Sequence, residues 1–294
     1  MRLKIDTEPK INTLEFRTLE DTYAQTQSPR SVIKKTGLEF DHFRQYQAED
    51  DSSQIDWIAS SRTQDLLVRV YREDTSLNVL IGLDVSESMI YGTGNKAKIE
   101  YAIEIALNLA YGILGYGDSV GLLIFNTDIV ATVPFRNRLS SFEVIKSTLL
   151  DSSKFGGKVN MEKPLFYSTK LFAQTHLFIL ISDFIGDVDN YLSAISGVAD
   201  KYDIIGLMVY DKTDMELDSP IKLMQLKGPY TTDNAGIINA KNLAEDYKHA
   251  NMERVARIKD YFTAMKKSFW MFGTDEMIGT KLRNLVLMRN YIGK

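Results

Sequence analysis

The chain has 294 residues, of which 44% are hydrophobic and 25% are charged. These proportions are typical of a globular protein and exclude a disordered, collagenous or coiled-coil chain. Its 35 Lys and Arg residues nearly balance its 39 Asp and Glu residues, so bulk charge does not favour nucleic-acid binding. The absence of cysteine excludes disulfides, thiol nucleophiles and cysteine-based zinc sites.

No apolar run in the sequence approaches the roughly 20 residues that a membrane-spanning helix needs. The strongest runs, residues 79–83 and 177–181, are short and predict buried strands. Residues 1–10 lack the apolar core of a secretory signal. We therefore expect a cytoplasmic protein without direct membrane insertion.

The first 76 residues differ in character from the rest of the chain. Residues 1–36 are polar, with a loop signal at Ser28-Pro29, and predict an irregular N-terminal arm. Residues 37–76 carry many aromatic and charged side chains and predict one half-buried strand over residues 66–72. We interpret residues 37–76 as an N-terminal extension with an edge strand, which precedes a domain over residues 77–294.

From residue 78 onward, apolar strands alternate with amphipathic helices. Strands are predicted over residues 78–84, 120–125, 129–134, 177–182, 204–210 and 268–272, and helices over residues 96–114, 142–150, 165–173, 190–201, 243–267 and 275–289. Pro134 restricts its strand to a sheet edge. This alternation predicts an α/β fold with a doubly wound, mostly parallel sheet and helices on both faces. Residues 213–236 are turn-rich and fit either a hairpin at the sheet edge or a mobile loop.

Oxygen-bearing side chains stand at the predicted ends of two strands, where doubly wound sheets bind their ligands. Asp84, Ser86 and Ser88 alternate after the first strand, so an extended turn can direct all three to one point. Asp183 follows the strand over residues 177–182. These hard oxygen ligands suit Mg²⁺, and Mn²⁺ or Ca²⁺ is also compatible. In the alternative interpretation Asp84 and Ser86 cap the following helix, but the second strand-end aspartate favours the metal site.

Two groups of motifs resemble a known family. Asp84-x-Ser86-x-Ser88, Gly156-Gly157 and Ile181-Ser182-Asp183 resemble the metal-ion-dependent adhesion site of von Willebrand factor type A (vWA) domains. The upstream segment is similar to the signature of the MoxR-associated vWA-like proteins, domain-of-unknown-function family fifty-eight. Its matching residues are Gly37-Leu38-Glu39-Phe40, Arg44-x-Tyr46, Asp50-Asp51, Ile55-Asp56-Trp57 and Ser61-Arg62. The resemblance covers residues 37–294 and implies a vWA-like domain.

One position departs from the family's metal site. The family has a threonine after the paired glycines, and this chain has Lys158 there. In one interpretation the Lys158 ammonium replaces the ion, pairs with Asp84 and Asp183, and leaves a metal-free site. In the other, the loop is one residue longer, Lys158 points outward, and Asn160 supplies an oxygen to the metal.

The resemblance implies a protein-interaction module rather than an enzyme. In vWA domains of this type the ion keeps an open coordination position, which an Asp or Glu of a partner protein fills. The family's genes commonly accompany MoxR-type AAA+ ATPases, which implies an adaptor or co-chaperone of such an ATPase and its client proteins. The alternatives are a metal-free scaffold and a Mg²⁺-dependent phosphotransfer enzyme with Asp84 as nucleophile. Such enzymes usually have a second aspartate two residues on, where this chain has Ser86, and the chain has no G-x-x-x-x-G-K-[ST] loop.

The segment from Arg44 to Trp57 also has two interpretations. In the first it is structural, with Asp51 and Asp56 paired to Arg44 or Arg62. In the second it is a docking surface for the partner protein. Of the two, the structural interpretation is the one that we expect.

Overall fold

The computed structural model describes residues 4–10, 38–47, 50, 52–63, 65–73, 76–94, 96–216, 223–226, 236–283 and 285. The chain divides into two compact units, one of residues 27–76 and one of residues 1–26 together with residues 77–294. Among the helices described, none combines the length and the apolar character that crossing a bilayer requires.

The smaller unit contains one two-stranded sheet and one short helix. Its elements are β1 (Leu38–Gln45), α1 (Trp57–Thr63) and β2 (Leu67–Glu73). The strands pair antiparallel, with a register shift between Phe40 and His42. The strand predicted over residues 66–72 is therefore present as β2, but it pairs with β1 and is not an edge strand of the large sheet.

The charged residues of the smaller unit's signature make structural contacts. Arg44 binds both carboxylate oxygens of Asp50, at 2.6 and 2.5 Å, and this pairing lowers the pKa of Asp50 to about 2. Asp56 accepts two N–H groups in the first turn of α1, each at 3.0 Å, and so caps that helix. Arg44 thus pairs with Asp50 and not with Asp56, which serves as the cap, and Asp51 lies outside the described residues.

The larger unit follows the predicted alternation of strands and helices. Its elements are β3 (Asn78–Asp84), α2 (Lys98–Tyr116), β4 (Ser119–Phe125), β5 (Ile129–Arg136), α3 (Phe142–Leu150), α4 (Glu162–Leu171), β6 (Leu177–Ser182), α5 (Val188–Ala199), β7 (Asp203–Tyr210), β8 (Leu223–Leu226), β9 (Gly236–Asn239), α6 (Ala240–Ala264) and β10 (Ser268–Gly273). Residues 278–283 are also helical, within the predicted last helix, and residues 286–289 of that prediction lie outside the described residues. The predicted type is confirmed for all of these strands and helices except β8 and β9, which belong to or follow the turn-rich segment, and the ends differ by a few residues.

Six strands of the larger unit form one sheet in the order β10-β7-β6-β3-β4-β5. All neighbouring pairs are parallel except β4 with β5, so the predicted mostly parallel sheet is confirmed. The antiparallel strand β5 contains Pro134 and lies at the sheet edge, as its proline predicts. In the turn-rich segment, β8 pairs antiparallel with β9, which begins at Gly236, and the two form a separate two-stranded sheet that is not on the edge of the large one. Residues 217–222 and 227–235 lie outside the described part.

Alternating side chains along the buried strands build one core on each face of the large sheet. On one face, Val79 and Ile81 of β3 pack with α2 and α3. On the other face, Leu80 packs with α4, α5 and α6. Gly82 takes the next position on this second face because the Phe178 ring fills the space there: a Cβ atom on Gly82 would lie 2.6 Å from Cε2 of the ring. The predicted helices on both faces are therefore confirmed.

Residues 4–10 have no regular secondary structure and lie along α2. Three of their backbone N–H groups donate to side chains spaced one turn apart on that helix. The pairs are Lys4 with Glu100 at 2.5 Å, Asp6 with Glu104 at 2.8 Å and Lys10 with Asn108 at 2.6 Å. These bonds satisfy acceptors that are buried on a largely apolar helix.

Asp118 is a buried acid between α2 and β4, at the edge of the sheet where β4 begins. Its Oδ1 atom accepts the N–H of Leu77 at 2.6 Å, and its other oxygen has no hydrogen-bond partner among the described residues. Burial raises the pKa of Asp118 to about 7, although the bond from Leu77 opposes the shift. The charged form of this side chain therefore destabilises the fold.

Asp118→Asn is expected to stabilise the protein at pH 8 and to reduce its pH dependence. Because the pKa is raised in the folded state, the stabilising contribution of this proton is complete below about pH 4 and is lost as the pH rises through about 7. Asparagine keeps the acceptor for Leu77 without the charge, so we expect about 1–3 kcal/mol more unfolding free energy at pH 8 and little change near pH 4. Urea denaturation at pH 4 and pH 8 measures this. If the two proteins lost the same unfolding free energy between pH 4 and pH 8, the prediction would be wrong.

Candidate functional site

Three neighbouring parallel strands of the large sheet end at one edge, and an aspartate stands at each end. Asp84 is the last residue of β3, Asp183 follows β6 and Asp211 follows β7. Leu83 lies opposite Ile181 in the pairing of β3 with β6, so Asp84 follows opposite Ser182 and Asp183 comes one residue later at the same edge. The structure therefore brings together the two aspartates that the sequence selected.

Asp84 is fully buried and its carboxylate accepts two hydrogen bonds. The N–H of Ser86 donates to Oδ1 at 2.8 Å, and the hydroxyl of Ser182 donates to Oδ2 at 2.7 Å. The hydroxyl oxygens of Ser86 and Ser88 lie 3.2 Å apart, and both residues are buried. The predicted turn thus gathers its three oxygen-bearing side chains, and we refer to Asp84, Ser86, Ser88, Ser182 and Asp183 as the strand-end site.

The electrostatics of the strand-end site favour a positive charge. Burial and, after it, the charge of Asp183 raise the pKa of Asp84 to about 7, while hydrogen bonds from Ser182 and Ser86 oppose the shift. Two buried carboxylates in this proximity repel each other when both are ionised. A cation beside them relieves that repulsion.

A buried lysine supplies one such cation. The Nζ atom of Lys98, in the first turn of α2, lies 2.8 Å from Oδ2 of Asp183 and 2.9 Å from Oδ2 of Asp214. The side chain of Lys98 is 1% exposed. Burial lowers the pKa of Lys98, but the charges of Asp183 and Asp214 outweigh this effect and raise it above its ordinary value. Lys98 is therefore an ammonium ion bound between two carboxylates.

The two remaining residues of the predicted site lie elsewhere. Lys158 is exposed, and its backbone carbonyl accepts the hydroxyl of Thr127 at 2.7 Å. The lysine that pairs with Asp183 is thus Lys98 and not Lys158, because Lys158 follows the glycine loop on the solvent side. The side-chain oxygen of Asn160 accepts the N–H of Glu162 at 2.9 Å, at the start of α4.

The paired glycines lie against the turn that carries the serines. The N–H of Gly156 donates to the carbonyl of Val85, and the N–H of Glu87 donates to the carbonyl of Gly157, both at 2.8 Å. Both glycines have positive φ, 109° and 80°, which favours glycine at these positions. Asn126, after β4, donates its side-chain amide to the carbonyl of Gly156 at 2.8 Å. The loop therefore fixes the Asp84–Ser88 turn from the side of β4.

Asp211 and Lys98 are two of the residues of this edge that the sequence analysis missed. Asp211 accepts the hydroxyls of Thr93 and Thr213, at 2.6 and 2.8 Å, and so joins the loop after β3 to the loop after β7. Burial would raise its pKa, but these hydrogen bonds outweigh burial and lower it. An acid directly after a buried strand was the available signal for Asp211, as it was for Asp183. The signal for Lys98 was a cation in the first turn of a helix, where the helix dipole disfavours positive charge.

The spacing of the two serine hydroxyls in the strand-end site is compatible with adjacent ligands of a small divalent ion. Adjacent ligands of an octahedral Mg²⁺ at about 2.1 Å lie about 3.0 Å from each other, close to the 3.2 Å between the Ser86 and Ser88 hydroxyls. Among the described residues, no group of three His, Cys, Asp or Glu side chains could hold a metal. An ion here would therefore be held by the hydroxyls of Ser86 and Ser88 together with water, with Asp84 supplying negative charge beside it.

An α/β sheet with Asp-x-Ser-x-Ser after one strand and an aspartate after its parallel neighbour defines a vWA-like domain. Residues 42–257 match the family described as "Protein of unknown function DUF58", and the chain belongs to that family.

Uncharacterised proteins of mycobacteria are among its relatives. Rv1480 of Mycobacterium tuberculosis and Mb1516 of Mycobacterium bovis are each 25% identical over 188 residues, which is 63% of this chain. The chain spans 59% of the length of these relatives.

Solved structures of low sequence identity are also similar. BatB from Bacteroides thetaiotaomicron has a TM-score of 0.47 and 15% identity, with 74% of this chain and 100% of that chain covered. A von Willebrand factor type A structure from Catenulispora acidiphila has a TM-score of 0.45 and 12% identity, with 77% and 44% covered.

Proposed function

We propose that this protein is a non-enzymatic interaction module whose strand-end site binds Mg²⁺ and, through it, an acidic side chain of a partner protein. The observation that carries the proposal is the convergence of Asp84, Ser86 and Ser88 beside Asp183 at the carboxyl edge of a parallel sheet. The Ser86 and Ser88 hydroxyls would bind the ion directly, and Asp84 and Asp183 would supply negative charge. When bound, the ion supplies an open coordination position for a carboxylate. Mn²⁺ or Ca²⁺ is the alternative ion.

The geometry of Asp84 supports binding rather than phosphotransfer. A carboxylate nucleophile must be reached by its substrate, whereas Asp84 is fully buried inside the strand-end site. The sequence from Gly117 to Gly121 also matches G-x-S-x-G, the motif of a hydrolase nucleophile elbow, with Ser119 at its centre. However, Ser119 begins β4 directly after α2, whereas a nucleophile elbow joins a strand to a following helix.

We propose a MoxR-type AAA+ ATPase, with its client proteins, as the partner of this module. What supports this partner is family membership together with the association of the family's genes with such ATPases. The module would act as an adaptor or co-chaperone that holds an acidic segment of the ATPase or of a client. The cytoplasmic location expected from the sequence stays a prediction.

A metal-free scaffold is the second candidate, and Lys98 favours it. The Lys98 ammonium already neutralises Asp183 at 2.8 Å. In this candidate the cation that fills the site is the buried Lys98 and not the exposed Lys158. A scaffold of this kind binds its partner equally well in MgCl₂ and in EDTA.

Ser86→Ala is expected to weaken Mg²⁺ binding at least about tenfold, because it removes one of two hydroxyl ligands. Calorimetric titration with MgCl₂, and then with MnCl₂ and CaCl₂, measures the change. The matched control is Ser168→Ala, which also removes a buried serine hydroxyl, there bonded to the carbonyl of Leu165 in α4. Ser168→Ala should leave ion binding unchanged.

Capture of the purified MoxR-type ATPase of the same genome tests the partner. We expect capture in MgCl₂, loss of capture in EDTA, and weaker capture by Ser86→Ala. If the wild type and Ser86→Ala captured the ATPase equally well in MgCl₂ and in EDTA, the ion-dependent module would be refuted in favour of the metal-free scaffold. Metal-dependent phosphatase or ATPase turnover by the pure protein would overturn both candidates.

A further inference from the structure

Lys98 joins three elements around the strand-end site. Its ammonium contacts Asp183 after β6 and Asp214 in the short 3-10 helix Lys212–Asp214 after β7. Its backbone N–H donates to the carbonyl of Tyr91, in the loop that follows Ser88, at 3.0 Å. The position is unfavourable for a cation on helical grounds alone, because the first turn of a helix carries partial positive charge. The two carboxylates are therefore what holds this ammonium in place.

The ammonium is shared almost equally between its two carboxylates. It lies 2.8 Å from the nearest oxygen of Asp183 and 2.9 and 3.1 Å from the two oxygens of Asp214. The negative charge of Asp183 also acts on Asp84 and raises its pKa. A divalent ion at Ser86 and Ser88 would be repelled by a positive charge bound to Asp183. Asp214 offers the ammonium a second partner already in contact, so the loss of the Asp183 bond leaves the lysine paired.

We propose that Lys98 is an internal counter-cation that sets the divalent-ion affinity of the strand-end site, with Asp214 as the partner that retains its ammonium when an ion binds. This inference rests on the proposed ion-binding function. It assigns to Lys98 a positioning role, exerted through Asp183, and makes the ion site weak and readily reversible. It also links ion binding to the loop after β7, because Asp214 belongs to that loop.

Lys98→Met tests the proposal, since methionine keeps an unbranched side chain only one atom shorter than that of lysine and removes its charge. We expect Mg²⁺ and Mn²⁺ to bind at least about tenfold more tightly than to the wild type, measured by calorimetry. Lys98→Arg keeps the charge and should bind within about threefold of the wild type. Equal affinities of Lys98→Met and Lys98→Arg would overturn the inference.

Lys98→Met leaves two buried carboxylates without their cation and is at risk of misfolding. The double variant Lys98→Met/Asp214→Asn reduces this risk, because it removes one charge of each sign, leaves only Asp183 without its cation and keeps the net charge of the wild type. Compared with Asp214→Asn alone, the double variant should again bind Mn²⁺ at least about tenfold more tightly. No difference between these two proteins would likewise overturn the inference.

The outcomes separate this inference from the proposed function. If the wild type binds the ion and the Lys98 variants bind it equally well, the role of Lys98 is refuted and the interaction module stays in place. Binding by the double variant but not by the wild type supports the role of Lys98 and refutes ion-dependent function in the native protein. Absence of binding in every variant refutes both.

Discussion

Asp84→Asn is expected to abolish Mg²⁺ binding at the strand-end site and, at the same time, to stabilise the fold. Asparagine can still accept the Ser86 N–H, and its amide can donate to the Ser182 hydroxyl oxygen, so each partner of Asp84 keeps a hydrogen bond, with the direction of the one to Ser182 reversed. What is lost is the negative charge that faces Asp183. We expect ion affinity to fall about 100-fold or more, which corresponds to about 2.7 kcal/mol.

The expected gain in stability follows from the sign of the pKa shift. The raised pKa of Asp84, about 7, means that the folded state holds this proton more tightly than the unfolded chain does. The corresponding stability is complete below about pH 4 and is lost as the pH rises through about 7. In EDTA at pH 8, the unfolding free energy of Asp84→Asn should therefore exceed that of the wild type by about 1–3 kcal/mol.

Asp118→Asn is the matched control for Asp84→Asn. Asp118 is also buried, its pKa is also raised to about 7, and it precedes β4, whereas Asp84 ends β3. Both variants should be stabilised at pH 8, but only Asp84→Asn should lose Mg²⁺ binding. If Asp84→Asn bound the ion as tightly as Asp118→Asn does, the ion would have to bind somewhere other than the strand-end site.

Phe178→Ala is expected to lower the unfolding free energy by about 3–5 kcal/mol. Phe178 is fully buried in the central part of the sheet, where its ring lies over Gly82 and meets Tyr202 edge to face at 6.0 Å. Alanine leaves a cavity that the neighbouring strands cannot close. Chemical denaturation measures the loss. Phe166→Ala, at a residue 55% exposed on α4, is the control and should change stability by less than about 0.5 kcal/mol.

A double-mutant cycle with Gly82 identifies the cause. Gly82→Ala alone should cost about 1–3 kcal/mol, because its Cβ would lie 2.6 Å from the Phe178 ring. In the Phe178→Ala background the same methyl group enters the vacated space, and its cost should disappear. Additive costs would show that Phe178 and Gly82 do not share this space.

The strands and helices of the larger unit could be predicted because each is an uninterrupted local pattern. The run from Asn78 to Leu83 is apolar on both sides of the strand, which is what a parallel sheet covered by helices requires. Pro134 identified the edge strand by a rule that concerns one residue alone. The partner of β2 could not be predicted in this way, because strand pairing joins residues that are distant in the sequence.

The strand-end site was predicted in part for the same reason. Asp84, Ser86 and Ser88 are close in sequence, and the parallel arrangement of strands brings Asp183 to the same edge. Lys98 and Asp183 are 85 positions apart in the sequence, and their contact is made by the long lysine side chain. A local periodicity in the sequence does not predict a contact of this kind. Lys158 lies beside the paired glycines in sequence, yet its side chain is exposed, since adjacency in a loop does not define direction.

The amino-acid order alone was sufficient for the α/β class, the central place of the strand before Asp84 and the meeting of two aspartates at one edge, because burial periodicity and strand polarity are local properties. Three features depended on folding in three dimensions: Lys98 as the buried cation, Asp211 as a third strand-end aspartate, and the contact of residues 4–10 with α2. Each of these contacts satisfies a buried polar group with a partner from a distant segment, and the energy of that pairing exists only once both groups have left water.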